Sequence, residues 1–146
     1  MIVEGGIVER GIAELKIEST IKAWHQVLET TSEEKLDDLL ADDVVFHSPV
    51  VHTPQVGKDL TKMYLMGAAA VLNNGSFKYE REILAGNNAV LEFTTVIDGI
   101  TINGVDMITC DDDSKIIDFK VMLRPLKAVN TVHQKMGEML ASFNKS

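Results

Sequence analysis

Apolar residues spaced three and four apart dominate the first half of the chain, and this periodicity predicts three helices. The predicted helices lie at residues 16–30, directly after Ser32, and at 58–72, and Asp42-Asp43 is predicted to end the second of them. The longest apolar stripe consists of Ile17, Ile21, Trp24 and Leu28. Ser32 is a predicted N-cap, because a serine hydroxyl can accept a backbone N–H of the first turn. A short strand is predicted at residues 44–47, between the second and third helices.

The pattern changes after Asn73-Asn74-Gly75, a sequence that favours the end of a helix. Four strands follow, predicted at residues 77–84, 89–97, 100–109 and 115–123. Turn-forming residues separate them, which is typical of an antiparallel meander. In the last strand the alternation places one set of side chains inward and the other outward. The inward set is Ile117, Phe119, Val121 and Leu123, and the outward set is Asp118, Lys120 and Met122.

Helices before and after a block of strands predict an α+β fold. We expect a cone-shaped α+β barrel, in which a curved antiparallel sheet wraps around the N-terminal helices and an extra C-terminal helix follows Pro125. Gly104 lies in mid-strand, where a glycine predicts a bulge and curvature. Residues 1–16 are predicted to be a flexible leader or a short helix. Residues 17–146 are predicted to form a single cone-fold domain.

Charge and composition narrow the classes of partner. The chain has 146 residues, a formal net charge of −8 and a pI near 4.9. An acidic surface repels polyphosphate, so we expect no nucleic-acid partner. Its apolar stretches are too short to span a bilayer, so we expect no membrane partner. The single cysteine, Cys110, excludes an intrachain disulfide, and we expect a cytoplasmic location.

No motif in the sequence predicts a metal or a cofactor. Three consecutive acids, residues 111–113, lack the alternating spacers and the final glutamate of a calcium-binding loop. The four histidines lack the spacing of a zinc site. Glycine-rich phosphate loops and nucleophile elbows are also missing from the sequence. We therefore expect no metal and no cofactor.

The stretch VVFHSPVVHTPQVG at residues 44–57 resembles the active-site loop of ketosteroid isomerase, a member of the nuclear transport factor 2-like cone folds. In that family a strand leads to a catalytic acid, a proline, a second proline and a glycine that begins a helix. The matching positions here are Phe46-His47-Ser48-Pro49, then Pro54 and Gly57. The resemblance spans roughly residues 17–123. It implies the cone fold and a cavity between the sheet and the helices.

The resemblance also assigns roles to positions, and two of three catalytic positions differ. Ser48 stands where the family has its proton-shuttling carboxylate, and a serine hydroxyl cannot remove a carbon-bound proton without a base. Trp24 stands where the family has a tyrosine donor. Asp106, nine residues before Lys115, matches the family's buried acid, which stays protonated in an apolar site. Related SnoaL-like cyclases and dehydratases use an Asp or His at variable places.

Candidate site residues follow from these comparisons and from local geometry. Asp106 is the predicted catalytic acid or hydrogen-bond donor, and His52 and His47 are the predicted proton carriers. His47 and Ser48 are adjacent in extended chain, so they face opposite ways and cannot act as a nucleophile–base pair. Trp24, if it is buried, needs a partner for its indole N–H, and we expect it to replace the missing tyrosine donor. The predicted ligand-binding residues are Trp24, Ser48, Tyr64, Phe93, Phe119 and Val121.

Two functional hypotheses remain open at this stage. The first is a small-molecule-binding SnoaL-like protein that acts without a cofactor as an isomerase, dehydratase or cyclase on an apolar carbonyl or polycyclic compound. The second is a non-catalytic module that binds a ligand or dimerises through its outer sheet face. A homodimer is expected from the family. Whether the protein is an enzyme is left open by the sequence.

Overall fold

The computed structural model describes the backbone of residues 4–143 and the side-chain surroundings of residues 16–142. Its helices are α1 (Glu4–Thr30), α2 (Glu33–Leu39), α3 (Lys58–Leu72) and α4 (Leu126–Phe143). Its strands are β1 (Leu40–His47), β2 (Gln55–Val56), β3 (Lys78–Ala85), β4 (Asn88–Ile97), β5 (Ile100–Cys110) and β6 (Ile116–Arg124). This order matches the predicted one, with β2 added. Residues 1–3 of the predicted leader and residues 144–146 of the predicted domain lie outside the described residues.

Helix α1 begins at Glu4, well before the predicted start at Lys16. Its buried side follows the predicted spacing, since Ile17, Ile21 and Trp24 are each at most 4% exposed. The hydroxyl of the buried Thr20 lies 2.8 Å from the carbonyl oxygen of Ser114. This contact ties the helix to the turn between β5 and β6.

Strand β1 starts four residues earlier than predicted. Ser32 caps α2 as expected, because its hydroxyl accepts the Lys35 N–H at 3.1 Å. The helix then ends at Leu39, and Asp42 and Asp43 belong to the strand that follows. The prediction that these two acids end the helix was wrong. β2 pairs with β1 only at Val45 and Phe46, so the exposed side chains of Asp42 and Asp43 can face solvent from within the strand.

The strands form one curved sheet with the order β2-β1-β6-β5-β4-β3. Neighbouring strands are antiparallel except for β1 and β6, which run parallel. The sheet is therefore mixed, not wholly antiparallel as predicted. It is also unclosed, because β2 and β3 remain as its two edges. Helices α1, α3 and α4 pack on it, which confirms the predicted cone-shaped α+β architecture.

A bulge in β6 changes which side chains enter the core. Cys110 pairs with Ile116 while Thr109 pairs with Asp118, so Ile117 is an extra residue on one strand. Both Ile116 and Phe119 are consequently buried, at 0% and 1% exposure. The predicted inward position of Ile117 was wrong, because a bulge shifts the phase of the alternation by one residue.

Gly104 does not form the predicted bulge. Its pairing with Phe93 on β4 and with Leu123 on β6 continues the regular register on both sides. The glycine is needed for space, because a β-carbon there would lie 2.5 Å from Phe93 Cζ and 2.9 Å from the Met122 carbonyl oxygen. The Phe93 ring thus lies directly over the backbone of β5.

Within the described part of the chain, no helix has both the length and the apolar character needed to cross a bilayer. The same residues contain no group of three or more His, Cys, Asp or Glu side chains arranged to hold a metal ion. The acidic turn instead binds its own backbone. The Asp111 carboxylate accepts the N–H groups of Asp113 and Lys115, each at 2.9 Å.

We predict that Gly104→Ala destabilises the fold by about 1–3 kcal/mol, the range expected for overpacking a core. The added methyl group must displace the Phe93 ring and the β6 backbone. Urea denaturation measures the loss. Gly137→Ala is the matched control, because a β-carbon there meets nothing within 4 Å. Equal unfolding free energies for wild type and Gly104→Ala would contradict the packing role of Gly104.

Candidate functional site

A cavity of about 190 Å³ lies between the concave face of the sheet and helices α1, α3 and α4. Every phenylalanine, tyrosine and tryptophan side chain that the structure describes lines it. These residues are Trp24, Phe46, Tyr64, Phe77, Tyr79, Phe93 and Phe119. Phe77 stacks on Phe93 with ring centroids 5.0 Å apart, and Trp24 meets Phe119 edge-on at the same distance. The walls are therefore broad, flat and apolar.

Exposed lining residues show where the cavity reaches solvent. Val51 follows β1, Asn73 ends α3, and His133 and Gly137 lie on α4. The opening is thus framed by the loop after β1, the end of α3 and the middle of α4. Val132 and Met136 on α4 are buried and line the cavity, so this face of the helix covers the space between the sheet and the other helices.

Asp106 is the one carboxylic acid among the described residues that line the cavity. Strand alternation places it inward, together with Ile102, Gly104 and Ile108, which are all buried. Its neighbours across the sheet are Leu91 on β4 and Val121 on β6. With these apolar flanks the residue is only 6% exposed.

Two hydrogen bonds connect Asp106 to helix α1 through Tyr79. The Tyr79 hydroxyl donates to Asp106 Oδ2 at 2.6 Å. Trp24 Nε1 donates to the same Tyr79 oxygen at 2.9 Å. The second carboxyl oxygen, Asp106 Oδ1, has no hydrogen-bond partner among the described residues. We call these three residues the Trp24–Tyr79–Asp106 chain.

Burial dominates the electrostatics of this chain. Loss of hydration raises the pKa of Asp106 from 3.8 to about 7, while the hydrogen bond from Tyr79 acts in the opposite direction. Burial, and then the neighbouring Asp106 charge, raise the pKa of Tyr79 well above 10. At neutral pH Asp106 therefore populates both its acid and its carboxylate forms, whereas Tyr79 keeps its proton.

All of the predicted ligand-binding residues line the cavity, namely Trp24, Ser48, Tyr64, Phe93, Phe119 and Val121. Two of them are engaged within the protein. The Trp24 N–H donates to Tyr79, so it does not take the place of a tyrosine donor that points at a ligand. The Ser48 hydroxyl accepts the Val50 N–H at 3.1 Å and so stabilises its own loop.

The structure does not bring His47 or His52 to Asp106. Alternation along β1 turns Phe46 into the core and His47 outward, where its Nε2 lies 2.9 Å from Asp118 Oδ1. His52 is exposed on the loop between β1 and β2. Neither histidine lines the cavity. Proton transfer between these histidines and Asp106 would need a rearrangement of the loop or the strand.

The sequence analysis missed Tyr79, Phe77 and His133, which all line the cavity. Phe77 and Tyr79 are two residues apart, which is the spacing of one strand face, so this signal was present in the sequence. The bulge at Glu80 then reverses the alternation along β3. No sequence pattern indicates the bond between Tyr79 and Asp106, which joins residues 27 positions apart on different strands.

Comparison with known proteins places this geometry in a family. Residues 21–119 match a family model described as the SnoaL-like domain. The chain belongs to the SnoaL-like family. It shares the fold of the nuclear transport factor 2-like superfamily, as the sequence predicted. No curated protein matches this SnoaL-like protein.

Solved structures agree with this assignment. A steroid delta-isomerase from Pseudomonas aeruginosa is 33% identical with a TM-score of 0.84, and the match covers 90% of this chain and 96% of that one. An uncharacterised bacterial protein from Silicibacter pomeroyi is 30% identical with a TM-score of 0.77, covering 86% and 90%. A de novo designed protein with a curved sheet shares the fold alone, at 14% identity and a TM-score of 0.66, covering 85% and 96%.

We predict that Asp106→Asn changes the pH dependence of stability. Because the folded pKa of Asp106, about 7, exceeds the ordinary 3.8, this group stabilises the fold fully below about pH 4, and that contribution is lost as the pH rises through 7. Asparagine stays neutral and can still accept from Tyr79. Relative to the variant, wild type should therefore lose roughly 4 kcal/mol of unfolding free energy between about pH 4 and pH 8.

Urea denaturation across this pH range measures the difference. Asp43→Asn is the control, because it removes an exposed carboxylate and should leave the wild-type pH profile unchanged. Parallel profiles for wild type and Asp106→Asn would show that Asp106 titrates normally.

Proposed function

We propose that the cavity binds a small apolar compound that carries a carbonyl group, and that the neutral acid form of Asp106 donates a hydrogen bond to the carbonyl oxygen. The observation that supports this most directly is a carboxyl group that is buried among aromatic rings and has one oxygen without a partner among the described residues. A donor in the wall of an apolar cavity favours a ligand that carries an acceptor, because a ligand that fills the cavity removes water from the acid proton and must satisfy it or lose free energy.

The size of the cavity supports a compact ligand. Pockets that enclose drug-sized molecules have volumes of about 300–1,000 Å³, compared with about 190 Å³ here. One or two fused rings match this volume better than a fully enclosed four-ring skeleton. The similar Pseudomonas protein is named a steroid delta-isomerase. For the present chain we propose a smaller carbonyl compound, with any longer part protruding through the opening beside Gly137.

The same site is also proposed to catalyse a reaction without a cofactor. A buried acid that donates to a carbonyl oxygen stabilises the negative charge that develops there when an enolate forms. Formation of an enolate is a step common to isomerases, dehydratases and cyclases. The family's base position holds Ser48, whose hydroxyl serves its own loop. Asp106 itself is the best-supported proton carrier, since both of its protonation states are populated near neutrality. Binding is supported more directly than turnover.

The proposal also covers the domain organisation and the location of the protein. Residues 17–146 are proposed to fold as one domain, which is supported by a single cluster of buried apolar residues that runs from α1 to α4. A cytoplasmic location is supported by Cys110, a free thiol that is 1% exposed in the core.

We predict that carbonyl binding depends on the protonation of Asp106. Acetylnaphthalene, a two-ring ketone, should bind tightly below about pH 7 and lose about tenfold in affinity for each pH unit above the pKa of Asp106. Quenching of the fluorescence of Trp24, the single tryptophan, reports binding. Isopropenylnaphthalene, which has the same shape without the oxygen, should bind with no pH dependence.

Three variants separate the possible causes of this pH dependence. Asp106→Asn should bind the ketone at all pH values, because its amide still donates, and Asp106→Leu should bind the ketone no better than the hydrocarbon. His133→Gln removes the histidine among the described lining residues and should keep the wild-type profile. Equal binding of ketone and hydrocarbon by wild type at low pH would refute the proposed role of Asp106.

We also propose that the protein forms a homodimer through the outer face of its sheet. Five apolar residues form an outer apolar patch there: Ile83, Val90, Val105, Met107 and Met122. Ile83, Met107 and Met122 are 54%, 38% and 48% exposed. A contiguous apolar surface on a chain with a net charge of −8 favours a protein partner, and a second copy of the chain is the simplest occupant.

We predict that the double variant Met107→Lys/Met122→Lys is monomeric at a concentration at which wild type is dimeric. Two lysines would meet two more across a two-fold axis, and burying these charges opposes association. Sedimentation velocity measures the state. Val56→Lys, on the edge strand β2, is the matched control, since it alters a 64% exposed apolar residue away from the patch. A monomeric wild type would exclude the dimer.

A further inference from the structure

The Trp24–Tyr79–Asp106 chain contains a donor that cannot reverse its role. An indole N–H donates and has no lone pair with which to accept. The Tyr79 oxygen, 2.9 Å from Trp24 Nε1, must therefore accept that hydrogen. The hydroxyl proton of Tyr79 is then directed to Asp106 Oδ2, which lies 2.6 Å away.

This direction fixes the two oxygens of Asp106 in different roles. Oδ2 accepts the hydrogen bond from the Tyr79 hydroxyl whether or not the carboxyl group is ionised. When Asp106 is protonated, its acid proton therefore belongs on Oδ1, the oxygen without a partner among the described residues. Leu91 and Val121 flank the residue on the neighbouring strands and offer no competing polar group.

We propose that Trp24 and Tyr79 are positioning residues that hold the acid proton of Asp106 on Oδ1, where it faces the cavity. The part of this inference that concerns a ligand rests on the proposed function, whereas the part that concerns the proton does not. The pair acts before any ligand arrives, so a bound carbonyl oxygen meets a donor that is already oriented. Such preorganisation improves binding because no rotor has to be ordered in the complex.

The same arrangement allows Oδ1 to bind a ligand oxygen in both protonation states of Asp106. Protonated Oδ1 donates to the oxygen of a ketone, and ionised Oδ1 accepts from the hydroxyl of an enol or a phenol. A ketone that can enolise presents one or the other at the same oxygen atom, so both of its forms can bind at Oδ1.

Few other titratable groups face Asp106, so its titration can be separated from theirs. Tyr79 on β3 contacts it directly, and Tyr64 on α3 and His133 on α4 line the same cavity. The ring of His25 on α1 packs edge-on against Tyr79, and its Nε2 lies 2.6 Å from Glu82 Oε1 on β3. β4 and β6 present only Leu91 and Val121 to the carboxyl group.

The test is a carbon-13 NMR titration of the Asp106 carboxyl group in the full chain without ligand, with the resonance assigned by its loss in Asp106→Asn. Tyr79→Phe removes the bond to the ionised form and should raise the pKa of Asp106 by about one to two pH units. Trp24→Phe frees the Tyr79 hydroxyl to turn away and should raise it by a smaller amount. Tyr64→Phe is the matched control, because the Tyr64 hydroxyl has no hydrogen bond among the described residues.

A binding measurement at about pH 5, where Asp106 is protonated in all variants, isolates orientation from charge. Acetylnaphthalene should bind Tyr79→Phe about tenfold more weakly than wild type. Thr109→Val, which removes a hydroxyl that binds Asn88 away from the cavity, should bind it within twofold of wild type. An unchanged pKa of Asp106 in both Tyr79→Phe and Trp24→Phe would overturn the inference. If the pKa values move as expected and no ketone binds to wild type, the positioning role stands and the proposed function fails.

Discussion

The hydrogen bond from Tyr79 to Asp106 is the interaction on which the rest of the site depends. A carboxyl group surrounded by Leu91, Val121 and aromatic rings has lost its hydration, and that loss disfavours its charged form. The tyrosine restores one partner and leaves the second oxygen open. Without this bond, burial would raise the pKa of the carboxyl group further, and no hydrogen bond among the described residues would orient it. With this bond, Asp106 has a pKa of about 7, and Oδ1 is the oxygen that Tyr79 leaves free.

The cavity exists because the sheet is curved and its inner face carries large rings. Gly104 lets the Phe93 ring lie against the backbone of β5, and the β6 bulge brings Phe119 and Ile116 to the same side. Helix α4 then covers the space with Val132 and Met136. A de novo designed protein with a curved sheet shares this fold.

The hydrogen bonds of Trp24 and Ser48 show what these residues do in place of the tyrosine and the carboxylate of ketosteroid isomerase. Trp24 occupies the position of a tyrosine donor, and its N–H donates to Tyr79. Ser48 occupies the position of the base and serves the loop instead. The tyrosine hydroxyl has therefore moved from α1 to β3, while the acid remains on β5. The chain keeps the acid of the family while changing the groups that orient it.

What the sequence determined by itself was the order of elements, the cone fold and the inward position of candidates such as Asp106 and Phe119, because periodicity and turn chemistry are local properties. Three features depended on tertiary structure. The parallel pairing of β1 with β6 joins segments about 70 residues apart, the bulges at Glu80 and Ile117 shift the phase of alternation, and the Tyr79–Asp106 bond crosses between strands. These are contacts between distant residues, and the spacing of neighbours along a chain carries no record of them.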